Sequence, residues 1–587
     1  MTILTGATRP LPDRRAHEVF ERRVRAHPDA VAAVHGDRQL TYRQLNTRAN
    51  RVARMLFDRG LTREGVVGVM TERNLDWLVA VLAVFKAGGT YLPIEPHFPA
   101  ERIARMRSRA DCRIVLTEQE IAAAYREDAP GGDLGVDVRP DQLAYIYFTS
   151  GSTGEPKGAM CEHQGLLNHL FAKIDDLNIG AGTIVAQTAP QCFDISLWQL
   201  IAPLLAGGRT LIIEQATILD AKRFIDKIAL ARVNVVQVVP SYLEVLVSYL
   251  AQHPRELRDL EYVVATGEAL KKELVERWFR VQPAIKLVNA YGLTETSDDT
   301  NHEVMDRVPT EERVPLGRPI NNVRIYVMDE HLRPVPFGDS GEIVFAGICV
   351  GRGYINDPER TRAAFGPDPL KAGERIYRSG DYGRAIAGGR LEFLGRRDSQ
   401  VKISGFRIEI GEVENRLLQL PGVRDGAVVV NKHLVAFYSG EQLDPAVMRD
   451  QLGAWLPAYM VPGTIHWRQA LPLTENGKVD RTALTALAGQ LDGAERHHEP
   501  ASTPTEQWLA AAWADVLGIS RAQISRRDTF FELGGTSLTA LKLLIALERA
   551  LSLKDLTAHP TLADQAAVID QRGLQPRVSV PSGSCST

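Results

Sequence analysis

Residues 149–158 read Thr-Ser-Gly-Ser-Thr-Gly-Glu-Pro-Lys-Gly and follow directly on the apolar run Leu143 to Phe148. Glycine lets backbone N–H groups turn toward a ligand without a Cβ in the way. Consecutive N–H groups, hydroxyls and one ammonium together make an anion cradle suited to a polyphosphate. Thr149, Ser150, Gly151, Ser152, Thr153, Gly154 and Lys157 are therefore the candidate phosphate contacts. The spacing is not that of a P-loop, which needs Gly-x4-Gly-Lys-Ser/Thr, because Gly158 follows Lys157. Taken alone, a Gly/Ser-rich decamer also suits a plain surface loop.

Such a loop must be held by strands and helices. Up to about residue 395 helical patterns alternate with short aliphatic runs such as Leu211-Ile212-Ile213, Val233 to Val239 and Tyr262 to Ala265. That alternation predicts α/β layers with parallel strands. Leu394 to Val401 reads as a boundary into a smaller α+β lobe that runs through Ala427 to Val430 and on to about Leu487. Asp492 to Ser502 has linker composition, and its pair His497-His498 lacks further metal ligands nearby. Thr503, Pro504 and Glu506 then form a helix-start signature with a capping box. Leu509, Trp513, Val516 and Leu517 give that helix an apolar stripe, opening a helical module over 503–573 with a disordered Pro/Ser/Gly tail beyond it.

The 587 residues exceed what one hydrophobic core holds. Hydrophobic content of 44% and charged content of 24% are ordinary for a globular protein. A net charge of -3 argues against nucleic acid or an anionic membrane as partner. No signal peptide is evident at Met1 to Asp13, and no apolar run reaches the ~18 residues of a membrane span. Five scattered cysteines without metal spacing fit a reduced compartment, so the cytoplasm is expected.

The loop stands in an ordered series. Before it come Leu40 to Leu45 (LTYRQL) and Lys86 to Pro93 (KAGGTYLP), and after it Phe193-Asp194-Ile195-Ser196, Asn289 to Glu295 (NAYGLTE) and Tyr377-Arg378-Ser379-Gly380-Asp381. Gly395-Arg396-Arg397-Asp398, Gly405 to Glu409 (GFRIE), Leu456 to Pro462 and Asn476 to Arg481 (NGKVDR) complete it. In this order the motifs resemble the adenylation domain of nonribosomal peptide synthetases, in the adenylate-forming superfamily. The helical module, with Leu533-Gly534-Gly535-Thr536-Ser537-Leu538, resembles a peptidyl carrier protein. The resemblance implies a multidomain α/β chain: a large luciferase-like lobe over 1–397, a small α+β lobe over 398–490 hinged at Asp398, a linker over 491–502, an all-α four-helix carrier domain over 503–573 and a tail over 574–587.

The implied reaction joins an amino-acid carboxylate to the α-phosphate of ATP with release of pyrophosphate. A thiol of 4′-phosphopantetheine then takes the aminoacyl group as a thioester. By resemblance, Lys478 bridges carboxylate and α-phosphate, and Lys402 serves the thioester step. Glu295 is the candidate ligand for Mg²⁺, a hard cation that prefers carboxylate oxygen, with Thr294 beside it on phosphate. Tyr291 is placed against adenine, Asn289 on its amino edge, and Asp381 with Arg396 on the ribose. Lys157 serves the leaving pyrophosphate. Ser537, between two glycines and an apolar helix start, is the candidate attachment point for phosphopantetheine, though a serine there also suits a plain N-cap.

Asp194 occupies the family position that pairs with an α-ammonium. The other pocket positions carry over as Ile195, Trp198, Gln237, Val264, Thr266, Ala290, Asp298 and Asp299. Two adjacent carboxylates in a closed pocket repel unless a cation sits beside them, and Trp198 offers a cation–π face. This pattern suggests a cationic side chain of the arginine, ornithine or lysine kind. The alternative leaves one aspartate facing solvent, with Gln237 and Thr266 binding a polar neutral side chain.

Leu293 stands where the family usually has proline, which is expected to loosen the loop carrying Thr294 and Glu295. No condensation signature or Gly-x-Ser-x-Gly thioesterase elbow is present. The implied partners are a phosphopantetheinyl transferase and a condensation domain or tailoring enzyme acting on the tethered amino acid. Some relatives also need a small MbtH-like protein. Rival readings are an acyl-CoA or aryl-CoA ligase and a binding protein with a decayed site.

Overall fold

The computed structural model describes residues 2–126, 130–150, 155–396, 400–403, 406–431, 433–472, 479–491, 499–530, 533, 535, 537–547 and 550–572. It divides into two compact units, Met1–Asn415 with Gly453–Tyr459, and Arg416–Leu452 with Met460–Thr587.

In the first unit, three of the aliphatic runs read as strands enter one sheet as Arg209–Ile212, Val235–Val238 and Tyr262–Ala265. Val235–Val238 pairs in parallel with Tyr262–Ala265, which pairs in parallel with Lys286–Leu293. β-Branched side chains buried on both faces are what a parallel strand covered by helices requires. The order then reverses, because Asp298–Met305 runs antiparallel to Lys286–Leu293 after one tight 3-10 turn, Thr294–Thr296. A second sheet carries the glycine-rich segment: Leu143–Thr149 pairs antiparallel with Lys157–Glu162, so Thr149 stands opposite Lys157 across the loop mouth. A third, antiparallel sheet contains Arg375–Ile386 paired with Arg390–Arg396, which sets Asp381 opposite Arg396.

Helices fill the layers between. Leu75–Lys86 is buried at every position but Asp76 and is apolar from Trp77 to Phe85, with Asn74 accepting hydrogen bonds from the Asp76 and Trp77 N–H groups at its start. Ile195–Ala206 opens on Asp194 and ends at Gly207 in the left-handed region. The hairpin Gln400–Ile403 with Phe406–Glu409 also belongs to this unit, and Phe406 lies against Phe193 and stacks on Tyr459.

The second unit holds a three-stranded sheet, Val423–Asn431 and His433–Gly440 antiparallel with Thr464–Trp467 parallel at one edge. Arg481–Leu491 packs on the first of these strands. It also holds helices Pro504–Leu517, Ser537–Ala546, Leu553–Ala558 and Leu562–Gln571. Their core gathers Leu509, Trp513, Phe530, Leu543, Leu562 and Ile569. The Thr503–Glu506 capping box forms as its sequence predicts. The fold is thus α/β with a large N-terminal part, a small α+β part and a helical carrier region. Among the described residues no helix is long and apolar enough to cross a membrane.

Candidate functional site

Glu295 lies at the centre of the site and is fully buried. Tyr354 donates its hydroxyl to Oε1 at 2.8 Å, Lys157 Nζ stands 3.4 Å from the same oxygen, and Arg407 donates to Oε2 at 3.0 Å. Burial opposes ionisation of this carboxyl, but Arg407 and Lys157 outweigh it and hold Glu295 well below the usual carboxylate range. Burial lowers the Lys157 ammonium, and Glu295 pulls it back. The glycine-rich loop meets the same hairpin: Ser150 Oγ donates to the Arg407 carbonyl at 2.7 Å and accepts from the Glu409 N–H at 3.0 Å. Thr149 Oγ1 is buried with no hydrogen-bond partner among the described residues. A hydroxyl without a partner at the mouth of an N–H-rich loop, beside a buried carboxylate, suits a Mg²⁺-bound polyphosphate. Leu293, expected to loosen the loop carrying Thr294 and Glu295, instead donates its N–H to Thr296 Oγ1 at 3.3 Å, a bond proline cannot make.

Asp381 accepts from Tyr291 Oη at 2.6 Å and from Arg396 at 2.6 Å, one on each carboxylate oxygen. Tyr291 packs beside Phe345 and Phe393, and burial pushes its phenol up, with Asp381 adding to the shift. Asn289, also buried, turns its Nδ2 to the Pro315 carbonyl at 2.7 Å. Lys402, on the hairpin, stands 6.0 Å from the Tyr291 ring centre. Tyr291, Asp381 and Arg396 are therefore neighbours, and Lys402, which the sequence reading assigns to the thioester step, stands beside them.

The remaining candidates form a set of buried and half-buried side chains. Asp194 Oδ1 accepts the Ile195 N–H at 3.0 Å, while Oδ2 is buried with no hydrogen-bond partner among the described residues. Burial pushes this carboxyl up to about 6, with Asp299 and Glu295 adding repulsion against the pull of the Thr294 hydroxyl. Trp198 donates its indole N–H to Gln237 Oε1, and Gln237 Nε2 is left without a partner among the described residues. Val264 and Ala290 are buried strand residues, and Ile195 is half-buried. Thr266 Oγ1 lies 3.0 Å from Asp299 Oδ1.

Asp298 and Asp299 are both buried, neither facing solvent. The cation expected beside them is present, but it comes from the chain: Lys173 Nζ lies 2.7 Å from Asp299 Oδ2 and 4.9 Å over the Trp198 ring. Trp198 thus spends its cation–π face on Lys173. Burial opposes ionisation of Asp299, but Lys173 and two histidines hold it low, whereas burial and the Asp299 charge push Asp298 well up. Asp298 has φ +81, and a Cβ on Gly292 would sit 2.0 Å from its carbonyl oxygen, so the pocket wall depends on glycine there.

Arg407, Tyr354, Lys173 and His169 are the site residues to which the sequence reading gave no role. Lys173 and His169 were detectable as polar residues four apart on one face of the helix His163–Asp176. Gly151, Ser152, Thr153, Gly154, Asp398 and Lys478 lie outside the described residues, as does the His497-His498 pair. Ser537 opens the helix Ser537–Ala546, and its side chain is among those not described.

A nucleotide-sized chemistry arranged around a buried carboxylate agrees with the comparisons. Residues 20–355 match the family model for AMP-binding enzymes. The chain belongs to that family. Residues 412–478 match the AMP-binding enzyme C-terminal domain and 507–569 the phosphopantetheine attachment site. ATP, Mg²⁺ and 4′-phosphopantetheine are accordingly the cofactors of this AMP-binding enzyme. Among curated relatives it is 34% identical to tyrocidine synthase 1 of Brevibacillus parabrevis over 94% of its length and 52% of the relative's. It is 35% identical to bacitracin synthase 2 of Bacillus licheniformis over 92% of its length and 22% of the relative's. The chain therefore spans about half or less of the length of these relatives. Among solved structures it is similar to holo-PA1221, an NRPS protein containing adenylation and PCP domains bound to a vinylsulfonamide inhibitor. The TM-score is 0.81 at 28% identity, covering 95% of this chain and 97% of that one.

Proposed function

We propose that the chain activates an α-amino acid with ATP as the aminoacyl adenylate and loads it onto its own carrier region, in nonribosomal peptide or related secondary-metabolite assembly. The observation that carries this reading is Asp194 Oδ2, a buried carboxylate oxygen with no hydrogen-bond partner among the described residues, in the same pocket region as Glu295. An incoming α-ammonium supplies the missing partner, which an aryl or fatty acid does not.

In this reading the amino acid enters with its ammonium on Asp194 and its side chain toward Gln237 and Asp298. Glu295 would hold Mg²⁺, which when bound neutralises phosphate charge, with Thr294 beside it on phosphate. Thr149, Ser150, Gly151, Ser152, Thr153, Gly154 and Lys157 grip the phosphates that leave as pyrophosphate. Asp381 and Arg396 take the ribose, with Tyr291 and Asn289 at the base. Lys478 offsets the charge that builds as carboxylate and α-phosphate join. Lys402, already beside Tyr291 in this structure, serves the second step, with Asp398 as the hinge between the two steps. Phosphopantetheine, on Ser537, supplies the thiol that accepts the aminoacyl group. The lobe and carrier boundaries given above, a cytoplasmic setting, a phosphopantetheinyl transferase, a downstream condensation or tailoring enzyme and an MbtH-like helper belong to the same proposal.

For the substrate side chain, a cationic group of the arginine, ornithine or lysine kind can pair with Asp298. The Lys173–Asp299 ion pair favours the second reading, a neutral polar side chain, because the cation that two aspartates demand is already in place. Amino-acid-dependent pyrophosphate exchange tests both levels. Exchange with an α-amino acid is expected, together with a mass gain of one phosphopantetheine on incubation with coenzyme A and a transferase. Exchange driven only by aryl or fatty acids, with no mass gain, overturns the reading in favour of a coenzyme A ligase.

A further inference from the structure

The helix His163–Asp176 is apolar along most of its buried length, yet it presents His169 and Lys173 to the pocket wall. Both are fully buried, and Lys173 pairs with Asp299, 126 residues away in sequence, at 2.7 Å. A lysine taken out of water keeps its charge against a carboxylate, and breaking such a pair from one side is strongly destabilising. Its ammonium also lies over the ring of Trp198, which donates its indole N–H to Gln237. Lys173 thus touches two residues of the pocket lining without belonging to it.

Buried charges among the described residues here include Asp194, Asp298, Asp299, Lys173 and Glu295, the last already paired with Lys157 and Arg407. With the substrate's own ammonium on Asp194 and Lys173 on Asp299, one acidic group remains. Among the described residues, Asp298 Oδ2 has only His169 Nδ1 at 3.5 Å, and His169 Nε2 has no hydrogen-bond partner. The ligand atoms of His169, Asp298 and Asp299 lie within 4.8 Å of one another, a spacing a metal ion could use, but the Lys173 ammonium already fills the Asp299 corner. A group in this setting binds best as a neutral carboxyl or against a hydrogen-bond donor, while Gln237 Nε2 offers a donor of its own.

From this geometry we infer that Lys173 is a specificity-determining residue: an internal counter-cation that makes the side-chain pocket select neutral polar amino acids and turn away basic ones. The inference rests on the amino-acid-activating reading above. A second full positive charge next to Lys173 meets repulsion in a poorly solvated space, whereas an amide, hydroxyl or neutral imidazole exchanges hydrogen bonds with Asp298 and Gln237. Removing the lysine leaves two carboxylates with one vacancy for a cation.

The test is pyrophosphate exchange by the full-length chain with ornithine, lysine and arginine set against glutamine, asparagine, threonine and histidine. The readout is the ratio of kcat/KM for basic over neutral substrates, which a purely structural role for Lys173 leaves unchanged. Wild type is expected to prefer a neutral substrate. K173M is expected to raise the ratio by about tenfold or more, and D299N, which strands the lysine, to lower it by a similar factor. K173M/D299N, with both charges gone, is expected to return within about threefold of wild type. If K173M does not fold, D299N and the double variant still give the sign. A wild-type preference for basic amino acids, or ratios unchanged in both D299N and K173M, overturns the inference. Absence of exchange with every amino acid overturns instead the reading on which it rests.

Discussion

Replacing Asp194 by asparagine separates two duties that one side chain performs. Oδ1 caps the helix Ile195–Ala206 by accepting the Ile195 N–H at 3.0 Å, and asparagine does this equally well. Oδ2, buried without a hydrogen-bond partner among the described residues, is the expected seat of the substrate ammonium, and asparagine removes its charge. At about 3 Å and an effective dielectric near 20, two unit charges attract by roughly 5 kcal/mol. Losing one partner of a buried pair costs about 3–5 kcal/mol, so D194N should lower kcat/KM for the amino acid by about 10²- to 10³-fold or more. Binding of ATP alone should be unchanged.

The pH dependence follows from the same group. With its carboxyl near 6 in the free protein, wild type should lose amino-acid affinity as pH falls through about 6, because the protonated acid no longer pairs with an ammonium. D194N should lack this limb. A folded-state value above the ordinary aspartate range also means that the folded protein binds the proton more tightly than the unfolded one. Ionised Asp194 therefore costs stability above about pH 6, and D194N should unfold no earlier than wild type at neutral pH. The assay is pyrophosphate exchange from pH 5 to 8 alongside urea unfolding. A D194N variant within about fivefold of wild type, or one that keeps the acid limb, refutes the reasoning.

Three further outcomes are expected. E295Q leaves Lys157 and Arg407 as buried cations facing a neutral amide, and exchange should fall by about 100-fold or more without loss of the folded state, as read by exchange and far-UV circular dichroism. G292A drives a Cβ to 2.0 Å from the Asp298 carbonyl and should destabilise the first unit by about 3 kcal/mol while raising the amino-acid KM, measured by denaturant unfolding and exchange. E506A removes the acceptor for the Ser502 and Thr503 N–H groups and the partner of Arg526, costing the helix Pro504–Leu517 about 1–2 kcal/mol in local hydrogen exchange. Arg526 holds Glu506 down at about 2, so the wild-type contribution is complete above the ordinary glutamate value and fades as pH falls toward about 2; the variant should lack that acid dependence.

Local patterns carried much of this molecule. The apolar run Leu143 to Phe148 became the strand that holds the glycine-rich loop, and the aliphatic runs became strands of one mostly parallel sheet, because β-branched runs bounded by turns leave little alternative. Thr503, Pro504 and Glu506 announced a helix start to the residue. The site was legible as a list of residues but not as a charge balance. Asp298 and Asp299 stand side by side in the chain, whereas Lys173 reaches Asp299 from 126 residues away, and periodicity within one helix does not reveal which carboxylate it will meet. Arg407 is similar: its motif was visible, but its contact with Glu295 spans 112 residues.

The distance in sequence between Lys173 and Asp299 bears on how such a protein can change over generations. Each residue alone leaves a stranded charge, so a one-step mutation at either position passes through a weakened intermediate. A recombination that exchanges a gene segment with a relative keeps the pair only if both breakpoints fall outside positions 173–299 or both fall between them. A crossover inside that interval parts the lysine from its aspartate, so inheritance of substrate choice here is tied to a block of chain rather than to the few residues that line the pocket.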